Sequence, residues 1–286
     1  MFARDHNWET GDQYRATLVG NERFITAAED FIRTQHSMDL YCDFCASMQK
    51  MRVDVGPNFG EGYPNLREGM LCSCGAKNRD RLMLLAMQRR VRADDRVVVF
   101  GSTGRLAEWL RDTRADTMFC EYFGPSHASG AREQTDSGPV FNENLCEMTF
   151  VNGSVDVLVH CDVLEHIPNV AQAARECARV LAPGGRLIFT MPFFQALETT
   201  TVRARIDANG EVEHLLSPEI HGDPMQPEGA LAYYNFGWDV LEHFRAAGLR
   251  SIAVHMIYDP FRGLVSNGCQ YPELNMLPIY LMAEKA

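Results

Sequence analysis

Residues 96–110 read RVVVFGSTGRLAEWL. Val97, Val98, Val99 and Phe100 form an apolar run too short for a helix and suited to a strand buried on both faces. Gly101 and Gly104 bracket a turn, after which Leu106, Ala107 and Leu110 recur at helical spacing. A strand that enters a glycine turn and leaves as a helix is the opening unit of a parallel α/β sheet. In such sheets ligands sit beyond the carboxyl ends of the strands, where the strand order reverses.

Outward from this unit, short apolar runs predict strands at 97–101, 117–121, 155–160, 186–191, 251–257 and 278–282. Helical patterns fall at 106–111, 170–181 and 238–247, and upstream at 21–34 and 79–91. The alternation predicts a three-layer, Rossmann-like α/β fold with a mostly parallel sheet. The expected division is a small N-terminal helical segment with cysteine knuckles at 1–90, which includes the loop GPNFGEGYPN, and a sheet domain at 91–286. Between the strand ending near Phe193 and the helix at Trp238 lies a long polar section, with a hairpin turn expected at Asp207-Ala208-Asn209-Gly210. A connection of that length in a compact domain is commonly a binding element, and 196–236 is read as a substrate cap.

The chain has 286 residues, 46% hydrophobic and 23% charged, which is ordinary globular composition. Lysine and arginine total 27 against 38 acids, giving a net charge of −11 and no general attraction for a polyanion, so nucleic acid is not the expected partner. No apolar run approaches the roughly 20 residues that cross a bilayer, and the start MFARDHNWETGDQYR is polar, so a cytoplasmic protein without a membrane partner is expected. Nine cysteines, several within structured segments, point to reduced thiols rather than a disulfide framework.

The glycine turn has the spacing Gly101-x-x-Gly104, with no further glycine before Leu110. A dinucleotide fingerprint requires G-x-G-x-x-G, so NAD and FAD are disfavoured. About 20 residues on, Phe119-Cys120-Glu121-Tyr122 places an acid where it could accept both hydroxyls of a ribose, beside an aromatic ring suited to a purine face.

Further along come Phe141-Asn142-Glu143-Asn144-Leu145, then VDVLVHCDVLEHIPN at 155–169 and ARVLAPGGRLIFTMP at 178–192. In this order and spacing the chain resembles the class I S-adenosylmethionine-dependent methyltransferases of the type 11-like group, over about two thirds of its length. The resemblance implies that Gly101, Ser102, Thr103 and Gly104 line the methionine part of S-adenosylmethionine. It implies that Glu121 binds the ribose, Tyr122 flanks the adenine, and Asn144 and Leu145 meet the adenine edge. Cys161 and Asp162 would border the sulfonium and open the acceptor side. Three features depart from the pattern: Val99 stands where the group usually has an acid, the turn has one glycine fewer than is usual, and Asn144 replaces the more usual aspartate. Arg79 or Arg81 could compensate by reaching the carboxylate of the methionine. The pair Glu165-His166 is read as capping and packing the next helix, and LAPGG as a structural turn.

Cys42-Asp43-Phe44-Cys45 and Cys72-Ser73-Cys74 supply two close thiol pairs, and four thiolates are the soft tetrahedral set of a structural Zn²⁺ site. Some bacterial methyltransferases that the chain resembles carry such a segment before a C-G-x-x-x-R-x-R run, here residues 74–81. In the cap, His221 and His214 are the candidate catalytic groups, since a hydroxyl or amine acceptor profits from a base that titrates near neutrality. Tyr233, Tyr234, Phe193 and Phe194 are candidate pocket walls. The acidic charge favours a small-molecule methyl acceptor. The competing reading is an inactive, zinc-stapled methyltransferase-like binding module.

Overall fold

The computed structural model describes residues 4–18, 22–53, 58–59, 63–223, 225–269 and 274–286. Met1–Ala3, parts of the GPNFGEGYPN loop and Pro224 of the cap lie outside the described residues. The N-terminal part comprises β1 (Arg4–Trp8), α1 (Gly11–Leu18), α2 (Glu22–Arg33), β2 (Ser37–Cys42), β3 (Ser47–Arg52), β4 (Leu71–Cys72) and α3 (Asn78–Arg90). There follow β5 (Val97–Phe100), α4 (Gly104–Thr113), β6 (Met118–Glu121), β7 (Arg132–Thr135), β8 (Gly138–Asn142), β9 (Val155–Cys161), α5 (Val170–Val180) and β10 (Leu181–Thr190). After the cap come α6 (Leu241–Ala246), β11 (Leu249–Tyr258) and β12 (Ile279–Lys285).

The central sheet has nine strands in the order β1-β11-β12-β10-β9-β5-β6-β8-β7. Neighbours from β8 through β6, β5 and β9 to β10 pair in parallel, while β12 runs antiparallel between β10 and β11. The chain moves outward from β5 through β6 to β8 and then returns to β9 on the other side of β5. The order therefore reverses between β5 and β9, and the Gly101–Gly104 turn stands at that switch point.

Alternate residues of the parallel strands enter separate cores. Val98, Phe100, Leu158 and Phe189 pack with Ala173, Cys177 and Phe244 of α5 and α6. Val97, Val99, Val159 and Ile188 pack on the opposite face with Leu82 and Met83 of α3 and Leu106 and Leu110 of α4. Two helical layers thus cover one sheet, as the alternating pattern predicts, because period-two side chains on a doubly covered strand must all be apolar.

Three strands of the central sheet escaped the sequence reading, as did the small sheet of β2, β3 and β4 in a segment expected to be helical. β1 pairs with the long edge strand β11, so the first described residues of the N-terminal segment belong to the sheet. β7 and β8 form a hairpin whose residues are mostly half exposed, which leaves no strong apolar alternation to read. LAPGG is not a free turn: it forms the bulged start of β10, with Gly184 at φ +73°.

Candidate active site

The first helix of the switch point begins at Gly104, and Thr103 precedes it in extended conformation. Gly101 and Gly104 have φ of +119° and +81°, values that L side chains rarely adopt, and a Cβ at either position would meet no atom within 4 Å. Open space therefore faces the turn. Ser102 is fully buried, and its backbone N–H donates to a Glu121 carboxylate oxygen at 2.6 Å. Burial pushes Glu121 above the usual carboxylate range, an effect the Ser102 contact opposes. The turn after β5 and the acid ending β6 thus converge. Tyr122 beside it is 46% exposed, so its ring is available to a ligand face.

On the adenine side of the expected site, Asn144 is half-buried and its carbonyl oxygen accepts from the Cys146 N–H at 2.9 Å. Leu145 is buried in the core on the α5 face of the sheet. At the end of β9, burial pushes the Cys161 thiol up to about 12. Asp162 adopts φ +52° and accepts two bonds from Arg67 at 2.6 and 2.7 Å, one from Arg79, and one from the Thr190 hydroxyl at 3.0 Å. Burial would raise this carboxyl, but the Arg67 and Arg79 charges prevail and hold it far below the usual range. Glu68 pairs with the same arginines and with Lys77 at 2.8 Å. A cavity lined in part by Arg67, Arg79, Thr190, Val265 and Met276 opens beside this cluster.

The two candidate arginines separate clearly. Arg81 is fully buried and donates to the carbonyls of Ala76, Arg262 and Gly263 at 2.9, 2.9 and 3.4 Å, so it staples backbone segments and is not free for a ligand. Arg79 reaches the strand ends and shares Asp162 with Arg67. Arg67 and Glu68 were missed by sequence reading, because they lie in a loop with no periodic signal and only the fold brings them to β9.

The cap is built of three short antiparallel pairs rather than a structureless loop. The turn at 207–210 closes the hairpin between Ala204–Ile206 and Val212–His214, with Glu211 and Asp207 bonded across it. The cap is tied down by Tyr233 N–H to the Glu165 carbonyl at 2.8 Å and by the Tyr234 hydroxyl to the Pro168 carbonyl at 2.6 Å. Phe193, Phe194 and Tyr233 are buried, and Tyr234 stacks on Phe236. His214 is exposed on its hairpin. His221 is half-buried, its Nε2 lies 3.0 Å from Glu219, and its Nδ1 lies 3.6 Å from Glu165. Glu165 and Glu219 together raise His221 to about 9, so at neutral pH in this arrangement it carries a proton and donates. The reading of Glu165-His166 as a helix cap is corrected: Asn169 caps α5 by accepting from the Gln172 N–H, and Glu165 and His166 turn toward the cap.

The sulfur atoms of Cys42, Cys45, Cys72 and Cys74 all lie within 4.8 Å of one another, with Cys42–Cys74 at 3.8 Å and Cys45–Cys72 at 3.9 Å. A tetrahedron with Zn–S bonds of about 2.3 Å has edges of about 3.8 Å, so the four thiols fit that ion. The knuckle touches the switch point: Arg105, in the first turn of α4, stacks over Phe44 at 5.5 Å.

Residues 98–189 match the family described as Methyltransferase domain. A Mycolicibacterium smegmatis protein named as a probable S-adenosylmethionine-dependent methyltransferase is 45% identical over 49 residues, 17% of this chain and 19% of that one. The ubiquinone biosynthesis O-methyltransferase of Idiomarina loihiensis is 28% identical over 142 residues, 49% of this chain and 52% of its own. The matches thus span from a fifth to about half of these relatives. A solved S-adenosylmethionine-dependent methyltransferase from Mesorhizobium loti is 15% identical, covering 71% of this chain and 98% of its own with a TM-score of 0.43. The span that matches the methyltransferase-domain family, residues 98–189, holds the switch point and the strands on either side of it.

Proposed function

We propose that the protein transfers the methyl group of S-adenosylmethionine to a small-molecule acceptor. The observation that carries this reading is the joining of Glu121 to the Gly101–Gly104 turn through the Ser102 N–H at 2.6 Å, with open space before both glycines. When bound, S-adenosylmethionine supplies a methyl group on a sulfonium. Gly101, Ser102, Thr103 and Gly104 would receive the methionine part, Glu121 the ribose hydroxyls, and Tyr122, Asn144 and Leu145 the adenine. Cys161 and Asp162 would border the reacting side, where Arg79 is the cation best placed for a ligand carboxylate. Transfer to an acceptor would leave the carbon–sulfur electron pair on sulfur, and the proton shed by an O–H, N–H or S–H acceptor would pass to bulk solvent, since His221 is already protonated. The displacement needs acceptor and methyl in line about 3 Å apart and shielded from water, a task for the cap at 196–236 and its donor His221. His214, exposed on its hairpin, is the second candidate base.

Zn²⁺ held by Cys42, Cys45, Cys72 and Cys74 would be structural, since four protein ligands close the coordination sphere. It would stiffen a knuckle that buttresses α4 through Phe44 and Arg105. An inert binding module is the less favoured reading, because the ribose acid and the turn stand in contact with each other. The reading is tested by incubating the protein with S-adenosylmethionine and a panel of phenols, carboxylates, amines and thiols and following S-adenosylhomocysteine. Acceptor-dependent product supports it; no product across a panel that includes all four nucleophile types counts against it.

A further inference from the structure

Glu165 is fully buried, and among the described residues neither of its carboxylate oxygens accepts a hydrogen bond. An unsatisfied buried carboxylate costs several kcal/mol unless something charged meets it. Two imidazoles stand near it, His166 with Nε2 at 3.7 Å and His221 with Nδ1 at 3.6 Å, both beyond hydrogen-bond distance. One ligand atom from each of the three residues lies within 4.8 Å of the others.

We propose that Glu165, His166 and His221 form a binding site for a divalent first-row transition ion, separate from the four cysteines. Bonds of about 2.0–2.2 Å to nitrogen and oxygen set neighbouring ligand atoms about 3 to 3.6 Å apart, so the two carboxylate–imidazole gaps of 3.7 and 3.6 Å need to close by only a few tenths of an ångström, and the two imidazole nitrogens lie within 4.8 Å of each other.

Each ring is already turned for the task by a partner on its far side. His166 Nδ1 lies 2.9 Å from the Leu231 carbonyl, which can only accept, so Nδ1 carries the proton and the Nε2 lone pair faces Glu165. His221 Nε2 lies 3.0 Å from Glu219, whose other oxygen is 3.2 Å from Arg203, so Nε2 keeps its proton, and an incoming cation would displace the second proton from Nδ1 to solvent and take the lone pair on the Glu165 side. An imidazole whose outer nitrogen donates to a carbonyl or carboxylate is the usual arrangement of a metal-ligating histidine. The rings stand nearly perpendicular, at 86° and 5.1 Å between centroids, so both can point at a common centre without stacking. Two nitrogens and one carboxylate suit Zn²⁺, Mn²⁺ or Fe²⁺ better than Ca²⁺ or Mg²⁺, which prefer all-oxygen shells. Three protein ligands leave a coordination position open to water or to an oxygen-bearing ligand. The ion would bridge the segment after β9 to the cap strand Ile220–His221, tying the cap to the sheet.

The test is Co²⁺ titration of the full, metal-stripped chain, followed by absorption. Thiolate-bound cobalt gives sulfur-to-metal charge-transfer bands, whereas cobalt on nitrogen and oxygen gives only weak visible bands, so the two sites are read separately and without any activity. The expected result is a component with weak bands only that His221→Ala abolishes and Glu219→Gln weakens by about 10–100-fold, with any thiolate component unchanged. His221 is half-buried on a cap strand, so its variant should fold, and circular dichroism confirms it; Glu165→Gln, at a fully buried site, is the secondary variant. Absence of the weak-band component in the wild type, or its survival in His221→Ala, overturns the proposal.

Discussion

The Glu121 carboxylate and the Ser102 backbone N–H meet at 2.6 Å, across the ends of two neighbouring strands. That contact fixes the acid beside a turn whose glycines leave room in front of them, and it is the feature from which the functional reading grows.

Gly101 has φ +119° with nothing within 4 Å of a Cβ built there. Replacing it by alanine therefore strains the backbone without a clash, at a cost of about 1–3 kcal/mol. The added methyl also enters the open space, so Gly101→Ala should lose more in S-adenosylmethionine affinity than in stability. Urea unfolding and calorimetry of the same variant separate the two losses.

The thiol cluster should bind one zinc, and Cys72→Ser should release it. The bound ion contributes about 4 kcal/mol to stability when free zinc stands a thousandfold above its dissociation constant. Zinc content by mass spectrometry and the shift in melting temperature on chelation check this. Because Arg105 joins the knuckle to α4, the chelated protein should also bind S-adenosylmethionine more weakly.

Asp162 is held ionised by Arg67 and Arg79 against the cost of burial. A carboxyl lowered in the folded state stabilises the fold above its unfolded value, near pH 4, and that stability is lost as pH falls toward the folded value. Asp162→Asn leaves the half-buried Arg67 and Arg79 with Glu68 as their shared acid and should cost about 1–3 kcal/mol at pH 7. The gap between wild type and variant should hold from pH 5 to 8 and narrow below about pH 4, as read by denaturant unfolding.

The sheet was legible because β5, β9 and β10 are apolar on both faces, a pattern that only a doubly covered strand tolerates. Glu121 and the glycine turn could be paired from spacing alone, since strand, turn and helix lengths fix where the next strand ends. Arg67 was not legible: its partner Asp162 is 95 residues away, and no local pattern encodes a contact made by tertiary folding. For the same reason Glu165 resembles a helix cap in sequence, and only the position of Ile220–His221 reveals that it faces two histidines. The hairpin β7–β8 stayed hidden because half-exposed strands carry little hydrophobic contrast.

Calorimetric titration of the full chain with S-adenosylmethionine, alongside Glu121→Ala, measures the central claim. The account predicts saturable one-site binding for the wild type, an affinity at least about tenfold weaker for the variant, and no heat with NAD. No binding at millimolar S-adenosylmethionine, or equal affinity in the two proteins, would contradict it.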